Sequence, residues 1–127
     1  MARILVHDAL MSFAISFRRS FSFSASIRQT FLPLDCGGTI ILASDEQLQN
    51  QQALLNLIRN EDVTIWDTVP TSVGFCTQFL KESNNELRDS ILKNSVRLIF
   101  TTGEPCKWEI PTIWADEFKH PAQFVNL

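Results

Sequence analysis

A short apolar segment followed by a glycine-proline turn constrains this chain more than any other feature. Residues 96–100 read Val-Arg-Leu-Ile-Phe, a run too short for a helix face and typical of a strand buried on both sides of a sheet. Residues 101–105, Thr-Thr-Gly-Glu-Pro, predict a turn at the carboxyl end of that strand. Because open α/β sheets bind ligands outside the carboxyl ends of parallel strands, this turn is a candidate binding edge.

Size and composition restrict the class of protein. The 127 residues suit one domain, and 45% hydrophobic with 20% charged residues is typical of a soluble globular chain. A net charge of −3 argues against a nucleic-acid partner, which normally requires a basic surface. No apolar run approaches the roughly 20 residues of a membrane span, and the amino terminus lacks a secretory core. We therefore expect a cytoplasmic protein without a membrane partner.

The cysteines and histidines do not predict a metal site or a disulfide framework. Cys36, Cys76 and Cys106 are odd in number and widely separated, without a Cys-x-x-Cys pair. Reduced thiols are the expected state. His7 and His120 lie far apart and lack the ligand spacing of a zinc site.

The middle of the chain alternates between strand and helix patterns. Residues 39–43 predict a buried strand, and Ser44 with Gln47 forms a capping-box pattern that opens a helix extending to about Asn60. The apolar positions of that helix share one face: Leu48, Leu54, Leu55, Leu57 and Ile58.

Further elements follow in the same alternation. Residues 63–69 predict a strand that ends at Pro70, and Thr71 or Ser72 is expected to cap the next helix. Asn84 or Asn85 opens a shorter helix, and Pro111 is expected to begin the last one. The other predicted elements are a short helix over 24–34 and strands over 96–100 and 124–127.

This order of elements predicts an α/β fold with a mostly parallel sheet and right-handed crossover helices. Residues 1–23 have neither a helical nor an alternating period, and no repeat or interdomain linker is visible. The final apolar strand without a following turn leads us to expect that the sequence is cut from a larger domain.

Several segments together resemble the adenylate-forming enzymes, and specifically the amino-acid adenylation domains of nonribosomal peptide synthetases. The first part resembles the family's Phe-Asp-x-Ser…Pro-Leu…Gly-Gly segment: FSASI over 23–27, FLPL over 31–34 and GGT over 37–39. Later family segments are resembled, in order, by VTIWDTVP over 63–70, LIFTTGEP over 98–105 and HPAQFVNL over 120–127. The resemblance identifies residues 21–127 as a partial adenylation (AMP-binding) domain and leaves residues 1–20 unassigned.

The resemblance implies a fold and an activity. The fold would be a fragment of the large N-terminal subdomain of an adenylate-forming enzyme. Such enzymes join a carboxylate to ATP, with Mg, to give an acyl-adenylate and pyrophosphate. They then load the acyl group onto the phosphopantetheine of a peptidyl carrier domain, the partner expected by resemblance. Neither ATP nor Mg is expected to bind tightly to the isolated 127 residues.

The resemblance also assigns site residues. Gly103, Glu104 and Pro105 would form the backbone wall beside adenine, and Asn126 would face its exocyclic amine. The positions of the acyl pocket would be Ser24, Ala25, Arg28, Asp67, Phe100, Thr102 and Leu127. Ser24 replaces the family's usual Asp and Arg28 an apolar residue, so an acidic or non-amino acid is expected as the substrate. From the residues alone, 101–104 is by default an ordinary turn, and Asp67 could equally be a strand-end acid.

The departures from the family pattern predict the loss of catalysis. The Ser/Thr/Gly-rich phosphate loop is missing from residues 1–22, and the aromatic-Gly-x-Thr-Glu run would follow Leu127. The ribose-binding Asp and the catalytic Lys are missing too, so no catalytic residue is assigned. We expect a truncated adenylation domain, inactive alone, whose exposed strand edges favour self-association. The alternatives are one piece of a split adenylating enzyme and a small α/β binding module without adenylation chemistry.

Overall fold

The computed structural model describes residues 38–101 and 103–126 in full, and residues 3–5 and 12–15 as backbone. Six strands form one sheet: β1 (Arg3–Leu5), β2 (Ser12–Ile15), β3 (Thr39–Leu42), β4 (Ile65–Thr68), β5 (Leu98–Thr101) and β6 (Gln123–Asn126). Their spatial order is β1-β3-β2-β4-β5-β6, and every pair is parallel except β1 with β3. The predicted α/β class with a mostly parallel sheet is confirmed.

Five α-helices and one π-helix connect the strands in the described part of the chain. The α-helices are α1 (Asp45–Gln49), α2 (Gln51–Asn60), α3 (Pro70–Glu82), α4 (Asn85–Leu92) and α5 (Glu109–Thr112), and α5 continues into the π-helix Ile113–Glu117. No helix of the described residues is long and apolar enough to cross a membrane. The helix predicted over 24–34 lies outside the described residues.

The first helical segment shows one confirmed prediction and one correction. The capping box is present: Gln47 N–H donates to Ser44 Oγ at 3.2 Å, and Ser44 N–H donates to Gln47 Oε1 at 2.9 Å. The predicted single helix is wrong, because the chain breaks at Asn50, whose backbone is extended. Asn50 Oδ1 accepts from Ala53 N–H at 3.0 Å and so caps a second helix.

Two other helix starts differ from prediction. Helix α3 begins at Pro70 after Val69, rather than after a Thr71 or Ser72 cap. The last helix begins at Glu109, so Pro111 lies within its first turn, where a missing N–H removes no intrahelical hydrogen bond. Asn84 does cap α4, as one of the two predicted residues, and accepts from Leu87 N–H at 2.8 Å.

The two faces of the sheet have separate hydrophobic clusters. Ile41, Trp66 and Ile99 face the helices and pack with the buried leucines and isoleucines of α2, α3 and α4. Ile40 and Ile65 form the core of the opposite face, where Leu98 and Phe100 are half-buried. The strand over 96–100 was predicted to be buried on both sides; on this second face its side chains are only half-buried.

A polar network anchors the chain just before β6. His120 is buried, and its Nδ1 accepts from Ala122 N–H at 3.1 Å while its Nε2 lies 2.9 Å from Asn94 Oδ1. Because Nδ1 accepts, Nε2 carries the proton and donates to Asn94. The His120 ring also contacts Trp114 edge-on, with ring centroids 5.1 Å apart. Burial lowers the pKa of His120 below its ordinary 6.5, because a charged imidazole is disfavoured there.

We expect the free energy of unfolding to fall as the pH drops below about 6.5. The folded pKa of His120 is lower than the unfolded one, so the unfolded chain takes up its proton first. The stability contribution is complete above the unfolded pKa and is lost as the pH falls toward the folded pKa. Urea unfolding at several pH values between 7.5 and about 5 should show the free energy of unfolding falling with the pH. This dependence on pH should be weaker in His120→Gln. A pH dependence that persists in His120→Gln and disappears in His7→Gln would contradict its assignment to His120.

Candidate functional site

Three polar side chains lie in one row at the carboxyl edge of the sheet. Thr68, Thr101 and Asn126 are register partners at the last positions of β4, β5 and β6. Strand alternation places all three on the helix-facing side, with Trp66 and Ile99. Thr101 Oγ1 donates to Asn126 Oδ1 at 2.9 Å. This polar row brings a solvent-exposed carboxamide next to a buried hydroxyl.

The hydroxyl of Thr68 is the unusual member of the polar row. Thr68 is only 2% exposed, and its Oγ1 has no hydrogen-bond partner among the described residues. A buried hydroxyl without a partner costs about 1 to 3 kcal/mol, so such groups normally serve a water or a ligand. The edge of the sheet therefore carries unused hydrogen-bonding capacity beside Thr101.

The opposite face of the same edge carries two of the predicted acyl-pocket residues. Asp67 and Phe100 are register partners, one position before the polar row on their strands. Asp67 is buried and Phe100 is half-buried. The predicted pocket residues Ser24, Ala25, Arg28, Thr102 and Leu127 lie outside the described residues.

The turn after β5 is exposed and conformationally special. Gly103 has φ of +89°, a region that glycine adopts without the steric cost paid by other residues. Glu104 and Pro105 follow it at the surface. The carboxylate of Glu104 accepts hydrogen bonds from the N–H and the hydroxyl of Thr71. These two bonds hold the pKa of Glu104 below its ordinary value, and the bond from the Thr71 hydroxyl contributes more than the bond from the N–H.

A groove lies between this turn and helix α3. It has a volume of about 480 Å³ and is lined mainly by Pro70, Thr71, Phe75, Glu104, Pro105 and Ile110. A smaller pocket of about 240 Å³ lies on the other side of Phe75, against α1 and α2, and reaches Cys76. Phe75 is 60% exposed and lines both cavities.

Among the described residues, Cys76 has a buried thiol, and no cluster suited to a metal ion is present. Burial raises the pKa of Cys76 to about 12, so its thiol stays protonated and unreactive at neutral pH. No group of three or more His, Cys, Asp or Glu residues in the described part of the chain could hold a metal ion.

Sequence reasoning placed Thr101 in the candidate turn but missed Thr68 and Thr71 as members of the site. Thr71 was considered only as a helix cap, whereas its N–H and hydroxyl both bind Glu104. The signal for Thr68 and Thr101 was their place at the ends of adjacent strands. That the two strand ends are adjacent can be seen only from the register of the sheet, which a single sequence does not give.

Comparison with solved structures shows the same fold in larger proteins. The nonribosomal peptide synthetase FmoA3 in an AMPPNP-bound form has a TM-score of 0.72 at 20% identity, over 95% of this chain and 12% of that one. CmiS6 has a TM-score of 0.73 at 17% identity, over 92% and 26%. The N-terminal domain of FACL13 from Mycobacterium tuberculosis has a TM-score of 0.70 at 18% identity, over 91% and 26%. The chain thus spans from about an eighth to about a quarter of these structures.

Sequence comparison identifies the family. No curated protein sequence matches this chain significantly. The family model described as AMP-binding enzyme matches residues 8–127, which include the polar row, the turn at Gly103 and the Asp67–Phe100 pair. The chain belongs to the AMP-binding enzyme family.

Proposed function

We propose that this chain supplies the adenine-binding edge and part of the acyl pocket of an enzyme that activates an amino acid or a related acid as its adenylate. Membership of the AMP-binding enzyme family supports adenylate formation, for which the family uses ATP and Mg. The further step, loading of the acyl group onto the phosphopantetheine of a peptidyl carrier domain, is proposed from the sequence resemblance to nonribosomal peptide synthetases.

One observation carries the proposal. Asn126 is in register with Thr101, and Thr101 lies immediately before the turn that contains Gly103. An exposed carboxamide has a donor and an acceptor side by side, which matches the exocyclic amine and the ring nitrogen of adenine. The turn has a glycine and little side-chain bulk, so its backbone can approach a flat base. We propose that an adenine ring lies between these groups at the carboxyl edge.

In this proposal, one face of the carboxyl edge binds the nucleotide and the other face binds the acid. Asn126 and the Gly103 turn would bind and orient adenine, while Asp67 and Phe100 would line the pocket for the acyl group on the other face. Ser24, Ala25, Arg28, Thr102 and Leu127 are proposed for the same pocket. Since Ser24 provides no counter-charge for an ammonium group, whereas Arg28 provides one for a carboxylate, the proposed substrate is an acidic or non-amino acid.

The 127-residue polypeptide is proposed to bind nucleotide weakly and not to turn over. Stabilisation of the charge that develops on the phosphates requires cationic groups and metal, and the described residues supply no metal-binding cluster. We expect a roughly millimolar dissociation constant, which corresponds to about 4 kcal/mol of binding free energy. AMP titration monitored by amide NMR shifts measures binding of this strength.

AMP is expected to shift the amides of Gly103, Glu104 and Asn126. Asn126→Ala should weaken binding by roughly two- to tenfold, the effect of one lost hydrogen bond. The matched control is Gln123→Ala, an exposed residue of the same strand on its other face, which should bind AMP as the wild type does. The absence of shifts at the carboxyl edge in a folded chain, checked by near-UV circular dichroism, would contradict the proposed function.

A further inference from the structure

Helix α3 begins without a cap of its own. Its N-cap residue is Val69, which has no side-chain acceptor, and Pro70 occupies the first helical position. The first turn also lacks an acidic residue. Pro70 has no N–H, and the N–H groups of Ser72 and Val73 donate to the carbonyl of Val69, at 3.1 and 3.3 Å. The N–H of Thr71 and the positive end of the helix dipole therefore favour an acceptor, preferably an anion, from elsewhere in the fold.

Glu104 supplies this acceptor from a distant part of the chain. Its Oε1 accepts from the backbone N–H of Thr71 at 2.5 Å and from the Thr71 hydroxyl as well. Both bonds are charge-assisted, which makes them stronger than bonds between neutral groups. The side chain of Glu104 is consequently directed toward the helix, away from the role of a ligand-binding carboxylate.

The two hydrogen bonds from Thr71 to Glu104 form a tie between the turn and the helix. The tie matters because the turn contains a glycine, which restricts the backbone little. Gly103, directly before Glu104, has the wide conformational range of glycine and adopts φ of +89° here. A Cβ at Gly103 would meet no atom within 4 Å, so packing does not fix this residue. Pro105, directly after Glu104, has no N–H with which to join a backbone hydrogen bond. Among the described residues, the Glu104 carboxylate therefore links the turn to the start of helix α3.

We propose that Glu104 is a positioning residue, whose carboxylate ties the turn of residues 103–105 to the amino end of α3 and so holds the turn's backbone in place for a nucleotide. The tie itself is a property of the chain alone. Its effect on nucleotide affinity rests on the proposed function. Thr71 is the other residue of the tie, since its N–H and its hydroxyl are the two donors.

The tie is tested first without any ligand. In the full chain, the Thr71 amide resonance should move with pH as Glu104 is protonated, with a midpoint below the ordinary 4.5 of a glutamate. In Glu104→Gln this titration should be absent, and Thr71 N–H should exchange with solvent faster at neutral pH. Glu117→Gln, which removes an exposed acid of the π-helix, is the charge-matched control and should keep the wild-type titration. A Thr71 amide that neither titrates nor responds to Glu104→Gln overturns the proposal.

The effect on the turn is tested with AMP as the probe. Glu104→Gln and Thr71→Val should each bind AMP roughly three- to tenfold more weakly, and the double variant no more weakly than the worse single one. Thr71→Ser, which keeps both donors, should restore wild-type affinity. A tie seen by NMR together with unchanged AMP affinity in Glu104→Gln overturns the positioning role. If the wild type does not bind AMP, the proposed function fails, and the NMR result alone decides whether the tie exists.

Discussion

Replacing Trp114 with alanine is expected to remove about 3 to 5 kcal/mol from the free energy of unfolding. Trp114 is 2% exposed, and its indole N–H donates to Thr77 Oγ1 at 2.9 Å. Its ring packs edge-on against Phe118 and Phe124, with centroids 5.7 and 5.9 Å apart. The substitution would therefore open a cavity between the π-helix, α3 and β6. A domain of this size has about 5 to 15 kcal/mol in total, so the loss would approach its limit.

Urea unfolding followed by far-UV circular dichroism measures the loss of stability. Trp108→Ala is the matched control, because Trp108 is 86% exposed and its removal should change the stability by less than about 0.5 kcal/mol. Trp114→Phe keeps most of the packing and loses the hydrogen bond to Thr77, so an intermediate loss is expected. A loss below about 1 kcal/mol in Trp114→Ala would show that this tryptophan does not organise the core.

Replacing Asn94 with alanine is expected to cost about 2 to 3 kcal/mol. Asn94 Oδ1 accepts from Val96 N–H at 3.1 Å and lies 2.9 Å from His120 Nε2. Its Nδ2 donates to the carbonyl of Ile91 at 3.0 Å. One side chain therefore joins the end of α4, the start of the β5 segment and the residue that precedes β6. Alanine would leave the buried His120 without its acceptor.

A pair of further variants separates this network from a general loss of stability. Asn60→Ala, at the exposed end of α2, should be nearly neutral in chemical denaturation. Asn94→Asp places a carboxylate beside His120, which favours the charged imidazole and should raise its pKa. The fall in stability below about pH 6.5 should then become smaller. An unaltered pH dependence in Asn94→Asp would mean that Asn94 and His120 do not interact in solution.

Local patterns predicted the elements whose stabilising contacts lie close in sequence. The capping box of Ser44 and Gln47 and the cap at Asn84 use donors within a single helical turn, so the sequence displays both partners. The break at Asn50 was missed, because Leu48, Leu54 and Leu55 keep a helical period across it. Periodicity reports which face is buried, and it does not report whether the backbone is continuous.

Features that depend on distant partners were not predictable. Helix α3 begins at Pro70 with the N–H of Thr71 bound to a carboxylate far along the chain, and no local residue reveals that Glu104 is this acceptor. Strands β1 and β2 were missed because they have three and four residues, too few to show an alternating period. For the site, motif resemblance proposed Asp67, Phe100 and Asn126, while their division between the two faces became visible only from the sheet register.

The position of β2 has a consequence for how this chain must fold. β3 and β4 follow one another in sequence, yet β2 lies between them, and the backbone of Phe13 pairs with Ile40 on one side and Ile65 on the other. Since β2 precedes both neighbours in the chain, its two edges are not both paired until β3, a helical crossover and β4 have been made. Pairings between such distant segments slow folding, because the entropy of closing the loop is lost before the contacts form. Until β2 inserts, the open edges of β3 and β4 are the surfaces most exposed to misassembly with another chain.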